Sequence, residues 1–274
     1  MDLYFEMYSG IAGDMTIGAL LDLGASREKL EKGIKSLGLT GYDLVFERVK
    51  KNGIDAYNFD VILEGHDHHK AHHGDGHSHD HHHDHKNSHD HDHHHGYSHD
   101  HRNLEAIENM INASDLNDNI KQNSLGIFNI IGDAEAKAHG IPKSKVHFHE
   151  VGAIDSIMDI VGTSILLDDL GVKNIYFSDL FEGCGYQLCA HGPMPIPVPA
   201  VANILADSDI NLNFIGEEGE HITPTGAAIV KYFYKKAPES FKIKKIGLGA
   251  GNKDFEKTTN ILRIMAIETG KKKL

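Results

Sequence analysis

The segment from His66 to His101 constrains the fold more than any other, because it cannot enter a core. It holds 18 of the chain's 23 histidines and seven aspartates, with Ala71 and Tyr97 almost its only apolar residues. A stretch with so little apolar surface to bury cannot offset the entropy lost on ordering. It is therefore read as a disordered His/Asp-rich loop, and the folded unit must be assembled from residues 1–65 and 102–274 on either side of it. Enough chain remains for a sizeable core, and a 40% apolar content is ordinary for a globular protein.

The flanking patterns predict an α+β fold, a mixed sheet with an antiparallel hairpin packed by several helices. Leu3 to Tyr8 reads as a strand, Ser9-Gly10-Ile11-Ala12-Gly13-Asp14 as a tight turn, and Met15 to Leu23 as an apolar-periodic helix. Ser26 caps a second helix. Asn52-Gly53 between Leu44–Val49 and Ile54–Leu63 is a strong two-residue hairpin signal, so the His-rich loop departs from a strand end. Helices are predicted over Leu104–Ile111, Ile120–Ala138 and Ala153–Leu170, and a strand over Asn174–Phe177. The run from His191 to Pro199 is extended before a further helix, since each proline disfavours helical geometry in its predecessor. Thr223-Pro224-Thr225-Gly226 opens another helix, and Phe241–Leu248 pairs with Ile261–Ile267. Gly247-Leu-Gly-Ala-Gly251 superficially resembles a dinucleotide fingerprint, but Asn252 and Lys253 follow it instead of an apolar helix, so that reading is set aside.

Composition also excludes partners. A formal charge of -13 argues against nucleic acid and against an anionic membrane, both of which need clustered Lys and Arg. No run of eighteen apolar residues occurs, and Asp2 and Glu6 stand where a secretory signal would be basic. A cytoplasmic location is expected. Cys184 and Cys189 are the chain's two cysteines and do not make a disulfide framework, so both are expected as thiols.

The chemistry then points to metal. Imidazole is a favoured ligand for late first-row divalent ions, so His66, His68, His69, His72, His73, His77, His79, His81, His82, His83, His85, His89, His91, His93, His94, His95, His99 and His101 are all candidate ligands. An expression tag is a poor alternative, because the run is internal, irregular and mixed with aspartate. Such a tract concentrates an ion without selecting sharply among metals. A second cluster is His147-Phe148-His149-Glu150, followed by Asp155 and Asp159. In extended backbone His147 and His149 point the same way, and Asp155 and Asp159 share a helix face. Their bland reading is buried hydrogen-bonding histidines and a solvated acidic face. Cys184, Cys189 and His191 make a looser thiolate and imidazole set beside the prolines, for which ordinary buried thiols are an equal alternative. Finally, Gly10, Gly13 and Asp14 in one turn, and Thr223, Thr225 and Gly226 in the other, are helix starts whose N–H groups could receive a phosphate. Taken singly, each is more simply a helix cap by Ser9, Asp14 or Thr223.

Several segments taken together carry a resemblance. Ser9-Gly-Ile-Ala-Gly-Asp-Met15, Gly18-Ala-Leu-Leu-Asp-Leu-Gly24, the sixteen-residue block from His147 to Gly162, Ala190-His-Gly-Pro193 and Pro224-Thr-Gly-Ala-Ala228 resemble the LarC family of nickel-insertion proteins in nickel-pincer cofactor biosynthesis. The similarity runs from Leu3 to about Ile267. It implies an enzyme, a cyclometallase of the lyase class, that inserts Ni(II) into pyridinium-3,5-bisthiocarboxylic acid mononucleotide with CTP and Mg or Mn. Metallating the pyridinium ring requires a base near the ion, for which His147, His149, Glu150 and His191 are candidates, with Asp155 and Asp159 beside them. The glycine-rich helix starts would suit the mononucleotide phosphate. LarC proteins usually continue into a further carboxy-terminal domain, in some organisms through frameshifting. This chain is therefore expected to work with that longer form or that domain. The reading of a different class is a non-catalytic nickel store or metallochaperone.

Overall fold

In a computed structural model, residues 1–63, 103–146, 148, 154–189 and 191–270 are described. In chain order these form β1 (Asp2–Glu6), α1 (Gly13–Leu23), α2 (Arg27–Lys35), β2 (Tyr42–Lys51), β3 (Ile54–Leu63), α3 (Leu104–Ala113), α4 (Asp118–His139) and α5 (Ile154–Asp169). There follow β4 (Asn174–Phe177), β5 (Leu180–Cys184), β6 (Tyr186–Cys189), β7 (Gly192–Pro195), α6 (Pro199–Leu205), β8 (Leu212–Glu218), α7 (Pro224–Phe233), β9 (Phe241–Ala250) and β10 (Ile261–Thr269).

Six strands make one mixed sheet in the order β2-β3-β9-β10-β1-β4. The β2–β3 hairpin turns at Asn52 and Gly53, both at positive φ, as a primed two-residue turn demands. β9–β10 and β10–β1 are antiparallel, whereas β1–β4 and β3–β9 are parallel. Along β1 the pleat sends Leu3 and Phe5 into the main core and Tyr4 into a satellite cluster with Met265 and Ile267. The main core joins residues from both sides of the His-rich segment: Ile17 and Leu30 before it, Ile107, Phe128 and Ile160 after it.

α1 lies across β9, and the two backbones approach so closely that a Cβ at Gly249 or Gly247 would collide with the carbonyl oxygens of Met15 or Ala19. This accounts for Gly247 and Gly249, which admit a helix, not a dinucleotide, while Gly251 packs against the Asn260 side chain. Outside the sheet, β5 pairs in parallel with β8, and β6 and β7 form a separate hairpin.

The sequence expectations hold for both segments flanking the His-rich region, with ends shifted by one to three residues. β5, β6 and β8 were not anticipated, and the proline-rich run is partly a strand, β7, before Pro199 opens α6. The first helix starts at Gly13 with Ala12 as its N-cap and no side-chain cap, so neither Ser9 nor Asp14 caps it.

Candidate functional site

The two glycine-containing turns, read separately in the sequence, are one structure. Ile11 and Ile222 form a parallel bridge, with the Ile11 N–H donating to the His221 carbonyl at 2.9 Å and the Thr223 N–H to the Ile11 carbonyl at 3.2 Å. Gly10, at φ +84, packs against the His221 carbonyl, and a Cβ at Gly226 would strike the Ile11 carbonyl. α1 and α7 therefore begin side by side. Thr223 caps α7, its hydroxyl accepting from the Gly226 N–H at 3.1 Å. α1 is closed from across the chain instead: the Asp159 carboxylate on α5 accepts the Asp14 N–H.

Buried Glu182 on β5 fixes this junction from behind. One carboxylate oxygen accepts the N–H groups of Gly183, His221 and Ile222 at 2.9, 2.8 and 3.3 Å. Burial pushes its carboxyl up, and those three donors oppose the shift. His221 is buried beside it, stacked on Phe255 with ring centroids 3.9 Å apart.

In front of the junction lies a cleft of about 260 Å³, lined by Ala12, Gly13, Asp14, Asp155, Ser156, Asp159, Gln187, Leu188, Cys189, Glu220, Thr223, Pro224 and Thr225. Of the residues proposed for phosphate binding, Gly13, Asp14, Thr223 and Thr225 line it, whereas Gly10 and Gly226 serve the close packing behind it. Asp155 and Asp159, one helical turn apart on α5, meet Asp14 from α1, with Asp60 of β3 near enough to repel them. Burial first, then repulsion from Asp60 and Asp155, pushes Asp14 up from 3.8 to about 6, although the Met15 N–H opposes it. Burial and then the charges of Asp14, Asp155 and Asp60 carry Asp159 well above the usual carboxylate range. Asp155 keeps an exposed edge, yet it too is raised, by lost hydration at the cleft wall first and by Asp60 after it.

Two smaller cavities adjoin this cleft. One of about 140 Å³ shares Ala12, Asp14, Glu220 and Thr223 with it and adds Lys253, Asn252, Phe255 and Asn260. Lys253 lies 4.0 Å from the Glu220 carboxylate and provides a cation there. The other, of about 200 Å³, shares Cys189 and Pro224 with the cleft and adds Glu135, His139, His191 and Met194.

Of the residues proposed from sequence as catalytic or metal-binding, Asp155, Asp159, Cys189 and His191 are thus brought to adjoining walls. His147, His149 and Glu150, and every histidine from His66 to His101, lie outside the described residues. Val146 and Phe148, on either side of His147, are buried in the core. Among the described residues, no three His, Cys, Asp or Glu side chains already stand around one ion position. The sequence reading missed Asp60, Glu182, Glu220, Glu135 and His139. The last two carried a faint signal, an i,i+4 pair of ligand types at a helix end.

A family model described as nickel insertion protein matches residues 3–274. The chain belongs to that family. The nickel insertion family includes a protein of Alkaliphilus metalliredigens that is 49% identical over 268 residues, covering 97% of this chain and 60% of that protein. Another, from Clostridium acetobutylicum, is 46% identical over 269 residues, covering 96% and 63% respectively. A third, from Geobacillus kaustophilus, is 42% identical over 270 residues, covering 96% and 59%. Each carries the name pyridinium-3,5-bisthiocarboxylic acid mononucleotide nickel insertion protein. The chain spans about three fifths of the length of these curated relatives. No solved structure matches it. Among the described residues no helix is long and apolar enough to cross a membrane.

Proposed function

We propose that this chain is the nickel-handling part of a cytoplasmic cyclometallase that inserts Ni(II) into pyridinium-3,5-bisthiocarboxylic acid mononucleotide. One observation carries the reading. Residues from the segments that carry the family resemblance in sequence, Gly13, Asp14, Asp155, Asp159, His191, Pro224 and Thr225, are distant in sequence yet line one chain of adjoining cavities.

The cleft can perform distinct tasks. Its walls carry Asp14, Asp155, Asp159 and Glu220, which by themselves repel a phosphate despite the two helix starts. Oxygen-only donors held at raised proton affinity are what a hard divalent ion relieves, so Mg or Mn fits here. Asp14, Asp155 and Asp159 would hold it, and bound there it would supply charge to receive the mononucleotide phosphate, with Lys253 and the Thr223–Gly226 helix start as further partners. A carboxylate of this cleft that is not engaged by the ion is suited to accept the pyridinium ring proton that metallation must remove. His147, His149 and Glu150 are assigned to the same base and ligand roles from sequence. The His66–His101 segment serves as the collector of nickel. CTP dependence is assigned to this chain working with the remaining two fifths of its relatives' length, as a carboxy-terminal domain or a longer frameshifted form.

The test is direct. The chain, alone and combined with a full-length relative lacking activity through its amino-terminal half, is incubated with nickel, CTP, Mg and the thiolated mononucleotide, and the nickel-substituted product is followed by mass spectrometry. Product with wild type, and none with Asp159→Asn, is expected. Absence of product from every combination would leave nickel storage as the function. A store loses its capacity when residues 66–101 are deleted, whereas the enzyme retains turnover at saturating nickel.

A further inference from the structure

The cavity beside the acidic cleft has a donor set of its own. Glu135 and His139 sit one turn apart on α4, at its carboxy-terminal end, with His139 Nε2 3.4 Å from a Glu135 carboxylate oxygen. A pair like this alone is an ordinary helix-surface contact. Here it faces a second pair. β6 and β7 form a tight hairpin in which Cys189 opposes Gly192, so Cys189 and His191 flank its tip. The His139 and His191 rings lie with centroids 4.9 Å apart, and Glu135, His139, Cys189 and His191 all line the same cavity of about 200 Å³.

We propose that these four residues form a nickel-staging site, which holds the ion next to the cleft before it enters the organic precursor. The inference rests on the nickel-insertion reading and adds to it the place where the metal waits. Two imidazole nitrogens each about 2 Å from one ion put their ring centres roughly 4.5–5.5 Å apart in tetrahedral or square geometry, and the observed separation lies inside that range. Side-chain rotation then completes the set, since the four do not yet surround one point. Thiolate, imidazole and carboxylate together favour Ni(II), Zn(II) or Cu(II) over Mg(II), which prefers oxygen alone. Loading releases the Cys189 thiol proton to water as the sulfur–nickel bond forms. Cys189 also lines the acidic cleft. A precursor thiocarboxylate sulfur arriving there can displace the Cys189 sulfur by ligand exchange. Nickel stays divalent, and the departing thiolate recovers a proton from solvent.

Thiolate–nickel charge-transfer absorption in the near ultraviolet tests the proposal on the full chain, because residues 66–101 contain no cysteine and are silent in that band. Nickel is added under reducing conditions until the histidine-rich segment is saturated. A saturable band equivalent to one nickel per chain is expected for wild type and for Cys184→Ser, and its loss for Cys189→Ser. His139→Ala and His191→Ala should each weaken the midpoint about tenfold or more. Thermal melts of each variant without metal, matching wild type, separate ligand loss from misfolding. No band in wild type, or a band kept in a folded Cys189→Ser variant, overturns the proposal. An unchanged midpoint in His139→Ala removes α4 from the site and overturns it as stated. Precursor is absent throughout, so a failure of insertion chemistry would leave the band untouched.

Discussion

Asp14→Asn tests the electrostatic picture of the cleft most sharply, because the same change should remove activity and add stability. The rise of Asp14 from 3.8 to about 6 disfavours its ionised form in the native state by about 3 kcal/mol, at about 1.4 kcal/mol for each tenfold change in proton affinity. The sign follows from proton linkage. Well below pH 3.8 the group is neutral in folded and unfolded chains alike and costs nothing. The penalty grows as pH rises through the window from 3.8 to about 6 and is complete at neutral pH. Asparagine keeps the shape but weakens the bonds received from the Met15 N–H and from its own N–H, at a cost of about 1 kcal/mol. The remaining gain of about 2 kcal/mol at pH 7 should raise Tm by roughly 4–8 °C in a chain of this size. Calorimetric melts of wild type and variant in chelating buffer, at pH 7 and pH 4, are compared as differences, so that histidine titration common to both cancels. The expected difference is a gain of several degrees at pH 7 that is gone by pH 4, where most of the ionisation penalty has vanished and the weakened hydrogen bonds leave the variant about a degree or two below wild type. A variant less stable than wild type at pH 7, or a difference independent of pH, would refute the account of these carboxylates as mutually repelling.

Other perturbations probe separate features. Magnesium or manganese at millimolar concentration should raise the Tm of wild type and leave Asp159→Asn nearly unmoved, by preferential binding to the native state; an equal response in both would remove Asp159 from the ion's partners. Gly249→Ala should cost about 3 kcal/mol or more, because the new methyl meets the Met15 carbonyl, a backbone group with no rotamer to yield; an unchanged melt would contradict the close crossing of α1 and β9. Thr223→Ala removes the bond received from the Gly226 N–H and should cost about 1 kcal/mol, lowering Tm by roughly 2–4 °C. Nickel capacity, measured by titration calorimetry, should fall steeply below roughly pH 6.5 as imidazoles protonate; flat capacity from pH 5 to 8 would deny histidine ligation.

What the sequence revealed of this molecule is what local chemistry determines. Asn52-Gly53 announces its hairpin, Ser26 and Thr223 announce helix starts, and both caps form as read, with Lys29 and Gly226 donating to the hydroxyls. Asp155 and Asp159 share a face because a helix repeats every 3.6 residues. The rest depends on pairings between distant segments. The parallel bridge of Ile11 with Ile222 merges two turns that look independent in sequence. Asp60 reaches the cleft because β3 lies beside α1 and α5, which no periodicity within β3 reports. Gly247 and Gly249 illustrate the same limit: their spacing signals close approach, but the partner, the backbone of α1, lies more than two hundred residues away in sequence.

The division of donors between adjoining cavities has a consequence for selectivity. Carboxylates alone would bind nickel through oxygen, in a form of coordination that the far more abundant magnesium ion also accepts, so the acidic cleft cannot choose nickel by itself. Imidazole and thiolate do choose it, but a site built only from them would bind too firmly to release the ion without a competing ligand of similar softness. The thiocarboxylate precursor of the proposed reaction is such a ligand. Placing the Cys/His pocket behind Cys189 and Pro224, and the hard-cation cleft in front of them, lets each metal sit where its chemistry favours it, with the precursor between. On the proposed staging site, nickel would pass between the cavities at Cys189, which lines both, and the sulfur that held it would be the one displaced.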